Sequence, residues 1–437
     1  MSAVTIGALS VLVICVLIFA GMHIAVALIL CSFVGVWLIK GNVSTAADLL
    51  GMAAADSIAS YDLAVVPLFV LMGLLINATT LPADGFRLAN HFLRRVKGGV
   101  GIATVLGNAV MSAVTGVTIA SVAIFTKIAV PQMVRLGYKP RFAVGLVAGS
   151  GVLGMMIPPS LLIIIYCLIT EQSVGRMFIG AIGPGLLLTA ALCVGVFLMA
   201  WKWKSFVGEV NDTGKEAEEA PTPAVIAKTV GPLALMILCT FGGLYGGIFT
   251  APEAGAVGAF MAFVVAMVRG DLNRETVRKV LLETGSTTSA ICILIVAANM
   301  YGRLIALSGM PNAFTAWLAQ ANLGFYALIW VYVLLLLVLG TALDSISTVL
   351  LSVPLLLPTF AAYQVDLIWI GVITVLAVEM GIVTPPLGIS AFVVKGALQD
   401  RSISLGDIYA GSMPFIAIMF IVLALLITFP AITTALL

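Results

Sequence analysis

Two pairs of adjacent prolines interrupt long apolar runs of this 437-residue chain, Pro158-Pro159 in the first half and Pro385-Pro386 in the second. A proline has no amide hydrogen and pushes the preceding residue out of the helical conformation, so each pair should break a membrane helix. A broken helix leaves backbone amides that attract anionic groups and carbonyls that bind cations. The candidate binding residues at the two breaks are Gly154, Ile157, Pro158, Pro159, Ser160, Gly381, Thr384, Pro385 and Pro386.

The two breaks lie 227 positions apart (385 minus 158), and other residues match at the same offset. Pro131 pairs in this way with Pro358, and Gly154 pairs with Gly381. For a single break, the ordinary proline kink of a membrane helix is an equally good explanation. Matched interruptions in two halves of a chain, however, indicate the binding site of a transporter.

Two carboxylates, Asp344 and Glu379, stand within apolar runs at the expected depth of the middle of the membrane. Burying a charge there costs at least about 2.5–3.5 kcal/mol, so both side chains are functional candidates. We expect Asp344, with its neighbour Ser345, to bind an ion or to stabilise the backbone around it. The alternative for Asp344 is a helix cap that accepts hydrogen bonds from the next turn. The alternative for Glu379 is a protonated or structurally paired carboxyl group.

The composition is that of an integral membrane protein in the lipid bilayer. The chain is 62% hydrophobic and 9% charged, with a mean hydropathy of +1.21, whereas soluble domains contain about 25% charged residues. The net charge of +2, without basic clusters interleaved with aromatic residues, argues against a nucleic-acid partner. The six cysteines lie in apolar stretches without CxxC spacing, which indicates reduced thiols rather than disulfides or metal ligands.

Catalytic motifs are missing from the sequence, which contains no HExxH, no Walker loop and no GxSxG. The remaining enzyme hypothesis is an intramembrane protease in which Asp62 and Asp344 share a proton. Asp62, however, falls at the end of an apolar span, and the other aspartate, in GTALD, has no glycine beside it. We therefore predict that the chain is not an enzyme.

The segment 98–131 is the first of two candidate re-entrant hairpins. Its 34 residues would extend about 51 Å as a single helix, yet basic residues flank both ends, which indicates that both ends are cytoplasmic. A hairpin that turns inside the membrane satisfies both the length and the charge. The alternative is one long tilted helix whose hydroxyl side chains bond to its own carbonyls. The candidate binding residues at the tip are Thr115, Gly116, Val117 and Thr118.

The segment 326–358 is the second candidate hairpin, and its tip at 341–345 contains Asp344 and Ser345. Neither 309–324 before it nor the loop 361–366 after it contains a lysine or an arginine. The ends of this hairpin should therefore face the periplasm, opposite to those of the first.

The spans divide the chain into two repeats of the same plan. Residues 1–200 form the first repeat, with the hairpin 98–131 and the broken helix 142–170. A polar cytoplasmic linker, 201–224, precedes the second repeat, 225–437, with the hairpin 326–358 and the broken helix 367–394. Each repeat has five spans, one of them broken, and this odd number requires the second repeat to be inverted. The predicted fold class is thus an all-α polytopic membrane protein of two inverted repeats.

Three motifs in this order resemble the signature regions of the large membrane subunit of tripartite ATP-independent periplasmic (TRAP) transporters: GVLGMMIPPSLLIIIY, LGTALDSISTVLLSVPLLLP and MGIVTPPLGISAFVV. The resemblance implies the elevator architecture of the ion-transporter superfamily and sodium-coupled import of an organic acid across the bacterial inner membrane. It also implies two partners, a periplasmic substrate-binding protein and a small four-helix membrane subunit. The positions that carry over as ion and substrate sites are 115–118, 154–160, 344–345 and 381–386, with sodium at the junctions of hairpin tips and broken helices.

The nearest alternative function is a stand-alone sodium/anion symporter of a related inverted-repeat fold. Such a protein would need neither a binding protein nor a small membrane subunit. Genes for both partners beside this one would favour the tripartite transporter. The sequence does not specify the solute, and the resemblance implies acids such as four-carbon dicarboxylates, sialic acid or keto acids.

Overall fold

A computed structural model describes residues 1–208, 222–320, 324–398, 400 and 402–437, without the side chains of 318 and 319. Across these ranges the regular structure is helical, and one isolated backbone bridge joins Tyr138 to Gly208. Seven of the described helices are long and apolar enough to cross a membrane, and two helix pairs bent at short breaks bring the number to nine. The protein is therefore a multi-pass, all-helical membrane protein.

The helices of the first half are α1 Ala3–Phe19, α2 Ile24–Lys40, α3 Val43–Ala59, α4 Val65–Asn77, α5 Leu81–Leu93, α6 Gly99–Thr115, α7 Thr118–Arg135, α8 Pro140–Gly151, α9 Leu153–Met156, α10 Leu161–Thr170, α11 Val174–Lys202 and α12 Lys204–Val207. Those of the second half are α13 Pro223–Tyr245, α14 Ala251–Val268, α15 Arg274–Ser308, α16 Met310–Gln320, α17 Phe325–Ala342, α18 Ser345–Ala362, α19 Leu367–Gly381, α20 Ile389–Ala397, α21 Leu405–Thr428 and α22 Ala431–Thr434. A 3-10 turn, Tyr61–Ala64, precedes α4.

Short polar side chains begin several of these helices. Asn42, Asn273 and Asp366 each accept a hydrogen bond from a first-turn backbone N–H, at 2.8, 2.7 and 2.8 Å respectively. Such bonds satisfy amides that have no partner inside the helix. These caps help to fix where α3, α15 and α19 begin.

The two halves contain the same elements in the same order. Three helices (α1, α2, α4 and then α13, α14, α15) precede a helical hairpin (α6–α7 and then α17–α18). A broken helix (α8–α10 and then α19–α20) and one long helix (α11 and then α21) follow. The break at 116–117, together with the contact between α6 and α7, excludes the single tilted helix considered for 98–131.

Some predicted bounds differ from the helices that form. The helix α7 runs past Pro131 to Arg135, and α18 runs past Pro358 to Ala362, because a proline removes one backbone bond without preventing the next turn from forming. At the predicted linker, residues 204–207 form α12, and Val207 is buried beside the loop that follows α7, whose Lys139 N–H donates to the Val207 carbonyl (2.7 Å). The acidic part of that linker, 209–221, lies outside the described residues.

Contacts between the halves are reciprocal. The helix α2 packs on α15 as α14 packs on α4, and α8 packs on α21 as α19 packs on α11. Likewise α10 contacts α18, and its counterpart α20 contacts α7. Each hairpin therefore lies against the broken helix of the other half as well as its own.

Candidate functional site

The tip of the first hairpin is docked on the first proline break. Gly116 ends α6 in the left-handed conformation (φ +63°), and its carbonyl accepts from the backbone N–H of Leu161 at 3.2 Å. A Cβ atom on Gly116 would lie 2.5 Å from the carbonyl oxygen of Pro159. Only glycine permits both this conformation and this approach, so tip and break meet backbone to backbone.

Ser160 bridges the two sides of the first break. Its buried hydroxyl donates to the carbonyl of Met155 and accepts from the N–H of Ile163 (3.3 Å). The helical segments 140–156 and 161–170 meet at an angle of 43°, and the bond between the two prolines is cis here and in the second break. The serine therefore satisfies one carbonyl and one amide that the break frees.

The second hairpin approaches the second break as closely. A Cβ atom on Gly381, at the end of α19, would lie 2.8 Å from the Cα of Gly340 in the last turn of α17. The break occupies 382–388, and the Tyr409 hydroxyl of α21 donates to the carbonyls of Pro386 and Leu387, each at 3.1 Å. This break is thus held from outside as well as by its own residues.

Asp344 caps the N-terminus of α18, which is the alternative role considered for it in the sequence analysis. It precedes α18, and its carboxylate accepts from the backbone N–H of Ser347 (3.2 Å) and from the Ser347 hydroxyl. Two acceptor positions of the half-buried carboxylate are occupied in this way. The observed contacts account for the conformation of the tip, and any role in ion binding comes in addition to them.

Glu379 connects the two hairpins. Its side chain is fully buried near the end of α19, and Thr118 donates from its hydroxyl to Oε2 at 2.6 Å. Ser345 donates to Oε1 at 2.7 Å. Because Thr118 begins α7 and Ser345 begins α18, the carboxylate joins the tips of both hairpins. The sequence singled out all three residues without indicating that they meet.

Two buried hydroxyls beside the tips lack a partner among the described residues. Thr115, the last residue of α6, is 4% exposed, and Ser390, in the first turn of α20, is 1% exposed. Neither Oγ atom has a hydrogen-bond partner within the described part of the chain. A buried hydroxyl without a partner calls for an explanation, and a bound water or ion is one of them. Sequence reasoning missed Ser390, which only its position four residues after Pro386 would have suggested.

Buried side-chain bonds hold each hairpin to its own broken helix. Asn108 on α6 donates to the Ser150 hydroxyl on α8 (2.7 Å) and accepts from the Ser121 hydroxyl on α7 (2.6 Å). In the second half, the hydroxyls of Tyr332 on α17 and Thr374 on α19 lie 2.8 Å apart. None of these residues was a sequence candidate, because an isolated polar residue in an apolar run is usually a satisfied part of the core.

Paired helical hairpins on paired broken helices, in an all-helical membrane protein of two matched halves, define this chain as a membrane transport protein. Residues 11–432 match the family model described as "Tripartite ATP-independent periplasmic transporter, DctM component". The chain belongs to this family of TRAP transporter large permeases. It is a transporter subunit and not an enzyme, so the hypothesis of an intramembrane protease is discarded.

Relatives with printed names agree with this assignment. The chain is 31% identical over 377 residues to the C4-dicarboxylate TRAP transporter large permease protein DctM of Pseudomonas aeruginosa, and the match covers 86% of both chains. It is 28% identical over 418 residues to the sialic acid TRAP transporter large permease protein SiaM of Vibrio cholerae, with 95% of both chains covered. Among solved structures, the YdaH transporter of Alcanivorax borkumensis superposes with a TM-score of 0.62 at 12% identity, covering 89% of each chain, which shows the likeness of the fold alone.

Proposed function

We propose that this chain is the solute-translocating subunit of a sodium-coupled importer of organic acids in the bacterial inner membrane. It accepts its solute from a periplasmic binding protein and works together with a small four-helix membrane subunit. The observation that carries the proposal is the meeting of both hairpin tips at the buried side chain of Glu379, three residues before the second proline break, in a chain of the TRAP permease family.

The chemistry of the tips supports sodium as the coupling ion. A hard monovalent cation is held by hydroxyl and backbone carbonyl oxygens at broken helices. The unpartnered hydroxyls of Thr115 and Ser390 lie at such places, one beside the first tip and one beside the second break. We assign sodium to the junctions of hairpin tips and broken helices, with the candidate tip and break residues as its surroundings.

The same region suits an anionic solute. Four helices, α7, α10, α18 and α20, begin at the tips and breaks. The N-terminus of a helix carries partial positive charge and N–H groups that have no partner in the helix. The starts of α7 and α20 have no side-chain cap, so they favour a carboxylate near them. The relatives named above for C4-dicarboxylate and sialic acid support an organic acid as the solute of this chain.

The transport motion we propose is an elevator-like movement of the hairpins and broken helices as one body. The bonds of Asn108 and of Tyr332 support this grouping, because each links a hairpin to its own broken helix. The second body consists of α2, α4, α14 and α15, which pack on one another. Reciprocal contacts between the halves support the inverted repeat that this motion requires.

Reconstitution tests the proposal. We expect uptake of a four-carbon dicarboxylate or sialic acid into liposomes to need an inward sodium gradient, the small subunit and the cognate binding protein, and to proceed without ATP. Uptake that is insensitive to sodium would refute the coupling. Sodium-driven uptake by this chain alone would instead identify the stand-alone symporter.

A further inference from the structure

We infer that Glu379 is a positioning residue that couples the two hairpin tips, so that ion binding at one tip is transmitted to the other. The inference rests on the proposed sodium-coupled function and adds a means of communication between the two halves of the site. The observation that indicates this coupling is that the hydroxyls of Thr118 and Ser345 both donate to the buried carboxylate of Glu379.

The two hydroxyl donors occupy the same place in the two halves. Thr118 and Ser345 lie 227 positions apart (345 minus 118), which is the offset between the proline breaks. Each is the first residue of the second helix of its hairpin, and their bonds to Glu379 have lengths of 2.6 and 2.7 Å. One carboxylate therefore binds a pair of equivalent residues, one through each oxygen.

This geometry makes the positions of the tips interdependent. Each side-chain oxygen of Glu379 accepts one hydrogen bond, and a fully buried carboxyl group depends on its donors because water does not replace them. Displacement of Thr118 or Ser345 alone leaves one carboxylate oxygen without its donor. The arrangement in which both tips are docked is therefore favoured over arrangements in which only one is, and this is the condition for cooperative binding.

The hydrogen bonds of Glu379 also influence the positions of the candidate ion ligands. Thr115 lies three residues before Thr118, on the other side of the turn in the first tip, and Asp344 immediately precedes Ser345 in the second. Movement of either hydroxyl donor shifts the backbone that carries these oxygens. A purely structural role for Glu379 would affect the stability of the protein and leave the relation between sodium sites unchanged.

The test uses Glu379→Met, a side chain of similar length without oxygen or nitrogen atoms, in the complete reconstituted transporter. Transport is measured against sodium concentration, and the distance between nitroxide labels at Ile119 and Ile346, one residue beyond each hydroxyl, is measured without sodium. We expect the Hill coefficient for sodium to fall to about 1, and the half-saturating sodium concentration to rise about tenfold. The distance distribution should broaden, because the tips then move independently.

Two further variants each remove one of the two hydrogen bonds to Glu379. Thr118→Val and Ser345→Ala should each reproduce the loss of cooperativity and the broader distance distribution. Their controls are Thr126→Val on α7 and Ser412→Ala on α21, which remove buried hydroxyls that donate to carbonyls of their own helices, at 2.7 and 2.8 Å respectively. Both controls should keep the Hill coefficient and the distance of the wild type.

The outcomes separate the inference from the proposed function. An unchanged Hill coefficient and an unchanged distance distribution in Glu379→Met, with transport still driven by sodium, would overturn the inference about Glu379 and leave the proposed function standing. Equal effects of the tip variants and their controls would also overturn the inference about Glu379. Sodium-independent uptake by the wild type would contradict the proposed function, and the label distances would then still decide whether Glu379 holds the tips together.

Discussion

Replacing Asp344 by asparagine separates the two roles that its position allows. The carboxylate caps α18 by accepting from the N–H of Ser347, at 3.2 Å, and from the hydroxyl of the same residue. Asparagine keeps one oxygen acceptor in the same place and removes the negative charge. We expect Asp344→Asn to fold with nearly normal stability and to require more sodium for transport.

The magnitudes make this separation measurable. Asparagine and aspartate are similar N-caps, whereas alanine in this position costs about 0.5–2 kcal/mol. Loss of the charge at the helix start removes a further roughly 0.3–1 kcal/mol of favourable interaction with the helix dipole. If the charge contributes about 1.4 kcal/mol to sodium binding, its loss raises the half-saturating sodium concentration about tenfold.

The assay compares wild type, Asp344→Asn and Asp344→Ala in two measurements, sodium activation of transport and thermal melting in detergent. We expect the asparagine variant to shift sodium activation with a small change in melting temperature, and the alanine variant to shift both. A lowered melting temperature with unchanged sodium activation in the asparagine variant would refute a role in coupling. Asp344 would then be a helix cap and nothing more.

Two further predictions concern topology and the first tip. Arg135 and Ala362 end α7 and α18 and lie 227 positions apart (362 minus 135). In a cysteine-free background, we expect a cysteine at 135 to be labelled from the inner face of the membrane and a cysteine at 362 from the outer face. Labelling of both from one face would contradict the inverted repeat. Gly116→Ala should lower the melting temperature for two reasons. Alanine in the left-handed conformation costs about 1–2 kcal/mol, and its Cβ atom would lie 2.5 Å from the carbonyl oxygen of Pro159. The control is Gly51→Ala on α3, where a Cβ atom would meet no other atom within 4 Å. This variant should not lower the melting temperature, because alanine favours a helix more than glycine does.

Local patterns were sufficient to predict most of the helices. Proline pairs in apolar runs located both broken helices, because the effect of a proline on its own backbone does not depend on distant residues. Charge at the flanks together with segment length located the hairpin at 98–131, whose turn forms at 116–117 as expected. The ends of α7 and α18 were placed too early, since neighbouring turns and helices allow a helix to continue past a single proline.

Contacts between distant segments could not be predicted in this way. Glu379 meets Thr118 across 261 positions and Ser345 across 34. Asn108 and Ser150 are separated by 42. No periodicity or spacing encodes such a pair, and each polar residue alone is compatible with a bond to its own helix. Sequence patterns thus pointed to Thr118, Ser345 and Glu379 separately, and the packing of hairpins on broken helices determined that they touch.

The equivalent positions of Thr118 and Ser345 in the two halves explain why a single glutamate is sufficient. Its counterpart at the repeat offset is Val152 (379 minus 227), a fully buried apolar residue, so the carboxylate has no equivalent in the first half. A group that lies where two equivalent hydroxyls meet binds both through its two equivalent oxygens. A second carboxylate at position 152 would find Thr118 and Ser345 already bonded, and it would add a like charge inside the protein. The asymmetry between Glu379 and Val152 therefore follows from the symmetry of the residues that the carboxylate joins.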